Sequence, residues 1–520
     1  MSAALQQVQQ RLDDVTIPWQ QWIVGTLAAV TLFELYINTR QRPYLSPRLY
    51  PKLPEALQPF LPASTAHSTY AKSQHYTRDK LNWSTLTTIL DLIESILLLT
   101  NVTAPLLTRF GIDLGQPKHV TWSHLTLSPT APLHSKLLSY IGLGPTEDTN
   151  WTLLKGFWNL AASTVPPFAT STTLRHSLSF VVLMSFVSLV TSVPKSLYST
   201  FVIEQRHGFN KTTLSTFVSD TLKGLLVSIA IEVPLVAAIL AIIDRVGGQG
   251  GIIKLVTWLL LLIFAFQLVM IPLYPFVIAP LFNKFSPLPQ DSPFYPKVKD
   301  LSSKLDFPLG NVYVIDGSKR SSHSNAYAYG IPGLAKHIVL YDTLLEKSTP
   351  DEVEAVLAHE LGHSIENHIV VLLFASLVQT AVSLLTFSLL LFNKSLLSSF
   401  GFHQKDLITL SKDAGPTIVS LLLASILAAP VSTVLHFIMN VVSRKLEYDA
   451  DKFAAKLGSK VAQNLKVALA SLHEKNLALT LTDGVYSAFH NNHPTLIERL
   501  DALDKLIDEQ EKQVDTKKNK

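Results

Sequence analysis

Seven stretches of roughly twenty mostly apolar residues punctuate this chain, each long enough to cross a hydrocarbon core about 30 Å thick as a helix. They run from about Trp19 to Ile37, Leu81 to Leu107, Leu178 to Tyr198, Leu222 to Ile243, Ile252 to Ala279, Ile369 to Phe392 and Thr417 to Phe437. Lipid offers no partner for exposed backbone groups, so segments of this length are expected to be helical. A mainly α, multispanning membrane protein follows. The first stretch sits behind a polar start (Gln6 to Asp14) and lacks a small-residue cleavage site after it, so it reads as a retained span and not a signal peptide. Composition agrees, with 48% of the 520 residues hydrophobic and only 16% charged.

Cytoplasmic loops keep Lys and Arg. Arg40, Arg42, Arg48, Lys52, Lys72, Arg78 and Lys80 follow the first span, which makes that segment cytosolic. Strict alternation then puts Lys195, Arg206 and Lys211 on the same side, together with segments 282–368 and 438–520, and leaves the N-terminus lumenal. Residues 1–281 thus hold spans one to five, 282–368 a first polar block, and 369–437 spans six and seven. The second polar block, 438–520, ends in a charged tail from Asp501 to Lys520. Neither block is a comfortable domain alone, so the two are expected to pack as one small α+β unit. The first carries strand-like runs, Asn311 to Ile315 and His337 to Tyr341, and a helix signal at Thr349-Pro350-Asp351.

Cysteine is absent, which excludes disulfides, thiolate ligands and a thiol nucleophile, so any metal must sit on His and carboxylates. Charges of 43 basic against 39 acidic residues, with no basic run interleaved with aromatics, argue against a nucleic-acid partner.

Ala358-His359-Glu360-Leu361-Gly362-His363 contains His-Glu-x-x-His. Residues four apart share a helix face, so His359 and His363 can offer two imidazoles to one Zn²⁺, with Glu360 as general base for a water whose pKa the metal lowers. A catalytic site wants a third protein ligand and an open position. Glu447 supplies the ligand, and Asp451, four residues on, can accept the second N–H of a ligating imidazole. The competing reading of that pair is a solvated acidic face balanced by Arg444 and Lys445. His493 and Arg499 are candidate donors to the tetrahedral oxyanion; the alternative is a polar turn before a helix opened by Pro494.

Several stretches together resemble one family, the type I CAAX prenyl endopeptidases. They are Glu204 with Gly208 to Thr213, Pro280 to Phe285, Ser322 to Tyr327, His359 to His363 with Asn367-His368, Arg444 to Ala454, and Tyr486 to Arg499. The resemblance implies a ring of seven helices around an intramembrane chamber, capped by a protease domain holding one zinc ion. It implies substrates with a farnesylated C-terminal cysteine, from which three residues are removed, and in some members a second upstream cut. Asn325, Ala326 and Tyr327, in an edge strand beside the cleft, would pair with substrate backbone. It also implies the endoplasmic reticulum membrane, with the inner nuclear membrane as a second address. Departures are His207 and Ser364, where relatives often carry an aromatic.

Two other functions remain open on sequence: a quality-control zinc protease for misfolded or translocon-clogging chains, and a transporter or scaffold with structural metal. A structural zinc site normally closes with four protein ligands, and only three are found here. Asp91, Glu94 and Glu232, inside the apolar stretches, are expected to face a hydrated interior. Asn150-Trp151-Thr152 is a lumenal glycosylation sequon, and Lys517-Lys518-Asn519-Lys520 fits a dilysine retrieval signal.

Overall fold

The computed structural model describes residues 17–60, 66–100, 152–163, 172–246, 251–305, 307, 309–329, 336–391, 393–402 and 416–518, with 4, 5, 7, 8, 11 and 12. The Asn150 sequon and the last two residues lie outside them. Among the described residues, five helices are long and apolar enough to cross a membrane, or six if one bent pair counts as a span. Four of the five correspond to α1 (Trp19–Gln41), α3 (Thr172–Tyr198), α4 (Leu214–Val246) and α5 (Gly251–Leu273). Between α1 and α3 comes α2 (Ala66–Leu99), which packs on α1. The expected second span coincides with its apolar half, but α2 is not among the five, because its first half is polar and Asp91 and Glu94 interrupt the rest. The expected extension to Leu107 lies outside the described residues.

Only 0–22% of each span's most apolar window is buried. These helices therefore leave most of their apolar surface open to the surroundings. Between α3, α4 and the later helix α8 lies a cavity of about 670 Å³, lined by Leu189, Leu225 and Ile418 but also by Ser185, Thr221 and Glu232. Glu232 Oε2 accepts from Ser185 Oγ at 3.1 Å. Lys195 meets Asp91 at 2.5 Å and Glu94 at 2.9 Å, so the in-span acids are paired across helices.

A four-stranded sheet follows α5: β1 (Phe285–Pro287), β2 (Leu309–Ile315), β3 (Ala326–Tyr329) and β4 (Lys336–Tyr341), in the order β1-β2-β4-β3. The two strand runs read from the sequence are β2 and β4, paired in parallel at the centre, and the two short antiparallel strands flank them. Then come α6 (Pro350–Ile365), the fifth span α7 (His368–Leu390), and the bent pair α8 (Thr417–Leu427) and α9 (Ala429–Lys456). The expected seventh span is broken at Ala428 by 60°. Pro430, just inside α9, has no N–H for the preceding turn and crowds its carbonyl. Past the break α9 runs on to Lys456, well beyond the expected span end, and so carries Glu447 and Asp451 into the cap.

The cap is completed by α10 (Ser459–Lys475), α11 (Gly484–His490) and α12 (Leu496–Lys518). One hydrophobic core draws on both polar blocks: Val298, Ile338, Leu340, Leu357 and Leu361 pack with Ala454, Leu465, Leu503 and Ile507.

Candidate metal centre

Thr349 opens α6 with a capping box. Its hydroxyl accepts from the Glu352 N–H at 3.3 Å, and the Glu352 carboxylate accepts from the Thr349 N–H at 2.6 Å. Val353, Leu357 and Leu361 bury one side of the helix, and this fixes the face on which His359 and His363 stand. At Gly362 the helix lies so close to α9 that a Cβ would come within 3.1 Å of Phe453 and 3.2 Å of the Ala450 backbone. That approach brings Glu447 over the two histidines.

Donor atoms of His359, His363 and Glu447 all lie within 4.8 Å of one another. The two Nε2 atoms are 3.2 Å apart, and the Glu447 oxygens stand 3.4 Å from His359 Nε2 and 3.3 Å from His363 Nε2. Glu447 Oε2 is buried with no hydrogen-bond partner. Two imidazole nitrogens and an orphaned buried carboxylate oxygen facing one point fit a divalent cation, whose charge supplies what the oxygen lacks. Three ligands leave room for a reacting group.

Asp451 stands behind His359, with Oδ1 2.9 Å from Nδ1, and is almost wholly enclosed. Arg499, expected as an oxyanion donor, is engaged by Asp451 along one edge of its guanidinium. Its Nε and Nη2 donate to the two Asp451 oxygens at 2.8 and 2.6 Å, and its Nη1 lies 3.8 Å from Glu447. With only a tenth of its side chain exposed, it stands beside the ligands. Burial pulls the His359 imidazole down, but the neighbouring carboxylates of Asp451 and Glu447 outweigh it and, without a metal, push it up to about 9. Burial opposes the Arg499 charge, and Asp451 more than restores it. Glu360 follows His359 directly, and burial raises its carboxyl above the usual range, closer to the pH at which a general base works.

His493 stands at the mouth, half exposed, with Nε2 3.2 Å from Glu447 Oε1 and Nδ1 2.7 Å from Asn492 Oδ1. Behind His363 is a group that sequence reasoning did not employ. His363 Nδ1 meets His368 Nδ1 at 2.8 Å. Asn367, at φ 56°, makes the left-handed turn that folds His368 back, and the Asn367-His368 pair after the zinc motif was the available signal.

β3 packs against α6 and is an edge strand. Tyr341 N–H donates to the Asn325 carbonyl at 3.1 Å, so in the antiparallel pairing with β4 the backbone groups of Asn325, Tyr327 and Tyr329 face β4. Of the three residues expected to meet substrate backbone, Ala326 alone turns its amide and carbonyl outward; Ala328 joins it by the same alternation. The exposed Asn325 side chain caps the Ala326 N–H at 2.9 Å.

Membrane spans joined to a cap in which a His-Glu-x-x-His helix meets a third carboxylate define a class, the integral-membrane metallopeptidases. A model of peptidase family M48 matches residues 294–507, and a model of the CAAX prenyl protease N-terminal region, five membrane helices, matches residues 149–284. CAAX prenyl protease 1 of Saccharomyces cerevisiae is 33% identical over 504 residues, covering 95% of this chain and 97% of that protein. The Arabidopsis thaliana homolog is 41% identical over 355 residues, 68% of this chain and 79% of its own. The crystal structure of Ste24p from S. mikatae superposes with a TM-score of 0.76 at 33% identity, covering 94% of this chain and all of that one. The chain belongs to the CAAX prenyl protease 1 family.

Proposed function

We propose that this protein is a zinc endopeptidase that removes the last three residues of farnesylated CAAX proteins at the cytosolic face of the endoplasmic reticulum membrane. The observation that carries the chemistry is the convergence of His359, His363 and the orphaned Glu447 oxygen, with Glu360 beside them. The names of the relatives favour the substrate, and the basic residues after the first span favour the cytosolic side. A second upstream cut is part of the same reading.

Zinc held there supplies Lewis acidity for the peptide carbonyl and makes a nearby water easier to deprotonate. Glu360 takes that water's proton and passes it to the leaving amine. Asp451 fixes the His359 tautomer by accepting its Nδ1 proton, and Arg499 keeps Asp451 ionised. His493 donates to the oxyanion as it develops. The Ala326 and Ala328 backbone groups pair with the extended substrate, and Asn325 swings aside to release the first of them. A prenyl chain partitions into hydrocarbon at about 0.8 kcal/mol per CH₂, so a membrane enzyme meets such substrates by lateral diffusion.

The test compares purified, zinc-loaded protein on a farnesylated CAAX peptide and on its unprenylated twin. Cleavage of the farnesylated peptide far in excess of the other is expected. Equal rates would move the assignment to a broader protease of misfolded or translocon-clogging chains.

A further inference from the structure

The outward edge of β3 does not run on indefinitely, and the residue that closes it lies about 150 positions away in the chain. By the alternation that turns Ala326 and Ala328 outward, Ser324 presents its N–H and C=O on the same edge. Both are taken by one side chain. Asn476 Oδ1 accepts from the Ser324 N–H at 3.1 Å, and Asn476 Nδ2 donates to the Ser324 carbonyl at 3.2 Å. A carboxamide carries the same donor and acceptor as a peptide group, so Asn476 occupies Ser324 as a residue of a neighbouring strand would.

The turn that carries Asn476 is built to hold that position. Asn476 ends α10, and Leu477 stands at φ +47°, a conformation that costs a bulky residue energy and persists only where its surroundings impose it. Here the Ala478 N–H donates to the His473 carbonyl at 2.9 Å, and Leu477 packs against the cluster of Tyr76, Ile203 and Phe209. On its other side Ser324 is anchored independently. Its hydroxyl donates to the Thr343 carbonyl at 3.1 Å, and Thr343 Oγ1 donates to the His323 carbonyl at 2.8 Å. The strand entrance is thus fixed from both sides, yet only the Asn476 side lies on the edge offered to another chain.

We propose that Asn476 is a register stop: by filling the outward backbone groups of Ser324 it confines a bound substrate strand to Ala326 and beyond, and so sets which peptide bond reaches the metal centre. The inference rests on β3 being the substrate-pairing edge. Strand pairing on a one-sided edge slips in steps of two residues, because a single step would turn every side chain over. With the stop removed, Ser324 becomes available and the substrate can slide by one such step.

The experiment uses the full-length, zinc-loaded protein in detergent and a farnesylated peptide ending in a CAAX sequence, with products read by mass spectrometry alongside KM and kcat. Asn476→Ala is expected to give a second product whose cut is displaced by two residues. Asn476→Asp keeps the size of the side chain and an acceptor for the Ser324 N–H but loses the donor to the Ser324 carbonyl, so it should give less of the same product. It decides the matter if Asn476→Ala fails to fold. A single, unshifted product from the folded variants overturns the stop, even if cleavage is slower, since slowing alone describes a structural clamp. Ala328→Pro separates this failure from that of the underlying reading, because it deletes an outward N–H and spares the bonds to β4. Unchanged KM in Ala328→Pro means that β3 is not the substrate edge. Raised KM there with an unshifted product from Asn476→Ala sinks the stop alone.

Discussion

His359 and His363 sit one turn apart on α6, yet the groups behind them come from very different distances in the chain. Behind His359 stand Asp451 from α9 and Arg499 from α12, a carboxylate and a guanidinium enclosed together. Behind His363 stands a neutral imidazole five residues on, delivered by a left-handed turn. One support is ionic and assembled by the tertiary fold; the other is uncharged and local, though also buried. Two ligands of the same residue type, one turn apart, thus depend on folding to unequal degrees.

Breaking the ionic support should cost most. Asp451→Ala leaves the Arg499 charge buried without its partner, and removal of one member of such a pair costs about 3–5 kcal/mol. A fall in Tm of the metal-free protein is therefore expected as well as loss of activity; an unchanged Tm would show that Arg499 finds water and that the two supports are alike after all. His368→Ala should be milder for the fold but visible in the metal. Loss of a group that orients a ligating histidine typically weakens binding about 10–100-fold, readable by competition with a chelator. No change in zinc affinity would leave His363 oriented by α6 alone.

A third imidazole sharpens the contrast at the smallest scale. His473 has no carboxylate behind it; burial dominates, a bond to the Leu479 backbone opposes it only in part, and its pKa falls to about 4. Because the folded value lies below the unfolded value near 6.5, the unfolded chain binds the proton more readily. Stability from this group is therefore complete above pH 6.5 and declines as the pH drops towards 4. His473→Leu should flatten that part of the Tm–pH curve, whereas an unaltered slope would assign it to other groups.

Much of this was legible before the structure. The apolar runs marked most of the spans, and the i, i+4 spacings of His359 with His363 and of Glu447 with Asp451 brought the right side chains to shared faces, because helical periodicity is a local property. What escaped was long-range or brief. β1 and β3 are three and four residues long, too short to show an alternation. For Arg499, expected as an oxyanion donor, nothing local says that Asp451, 48 residues earlier, takes the Nε–Nη2 edge of its guanidinium. Asn476 meets Ser324 across 152 positions and carries no periodic signal at all. The break at Ala428 could have been read from Pro430, which a hydropathy window averages away.

In the proposed mechanism Glu360 moves the proton at a metal held by His359, His363 and Glu447. Glu360→Gln keeps the shape of the side chain and removes its basicity while leaving all three ligands in the chain. Zinc content and cleavage of the farnesylated peptide should be measured on the same preparation. One zinc per chain with cleavage abolished is the predicted result; cleavage retained with zinc bound would contradict the account.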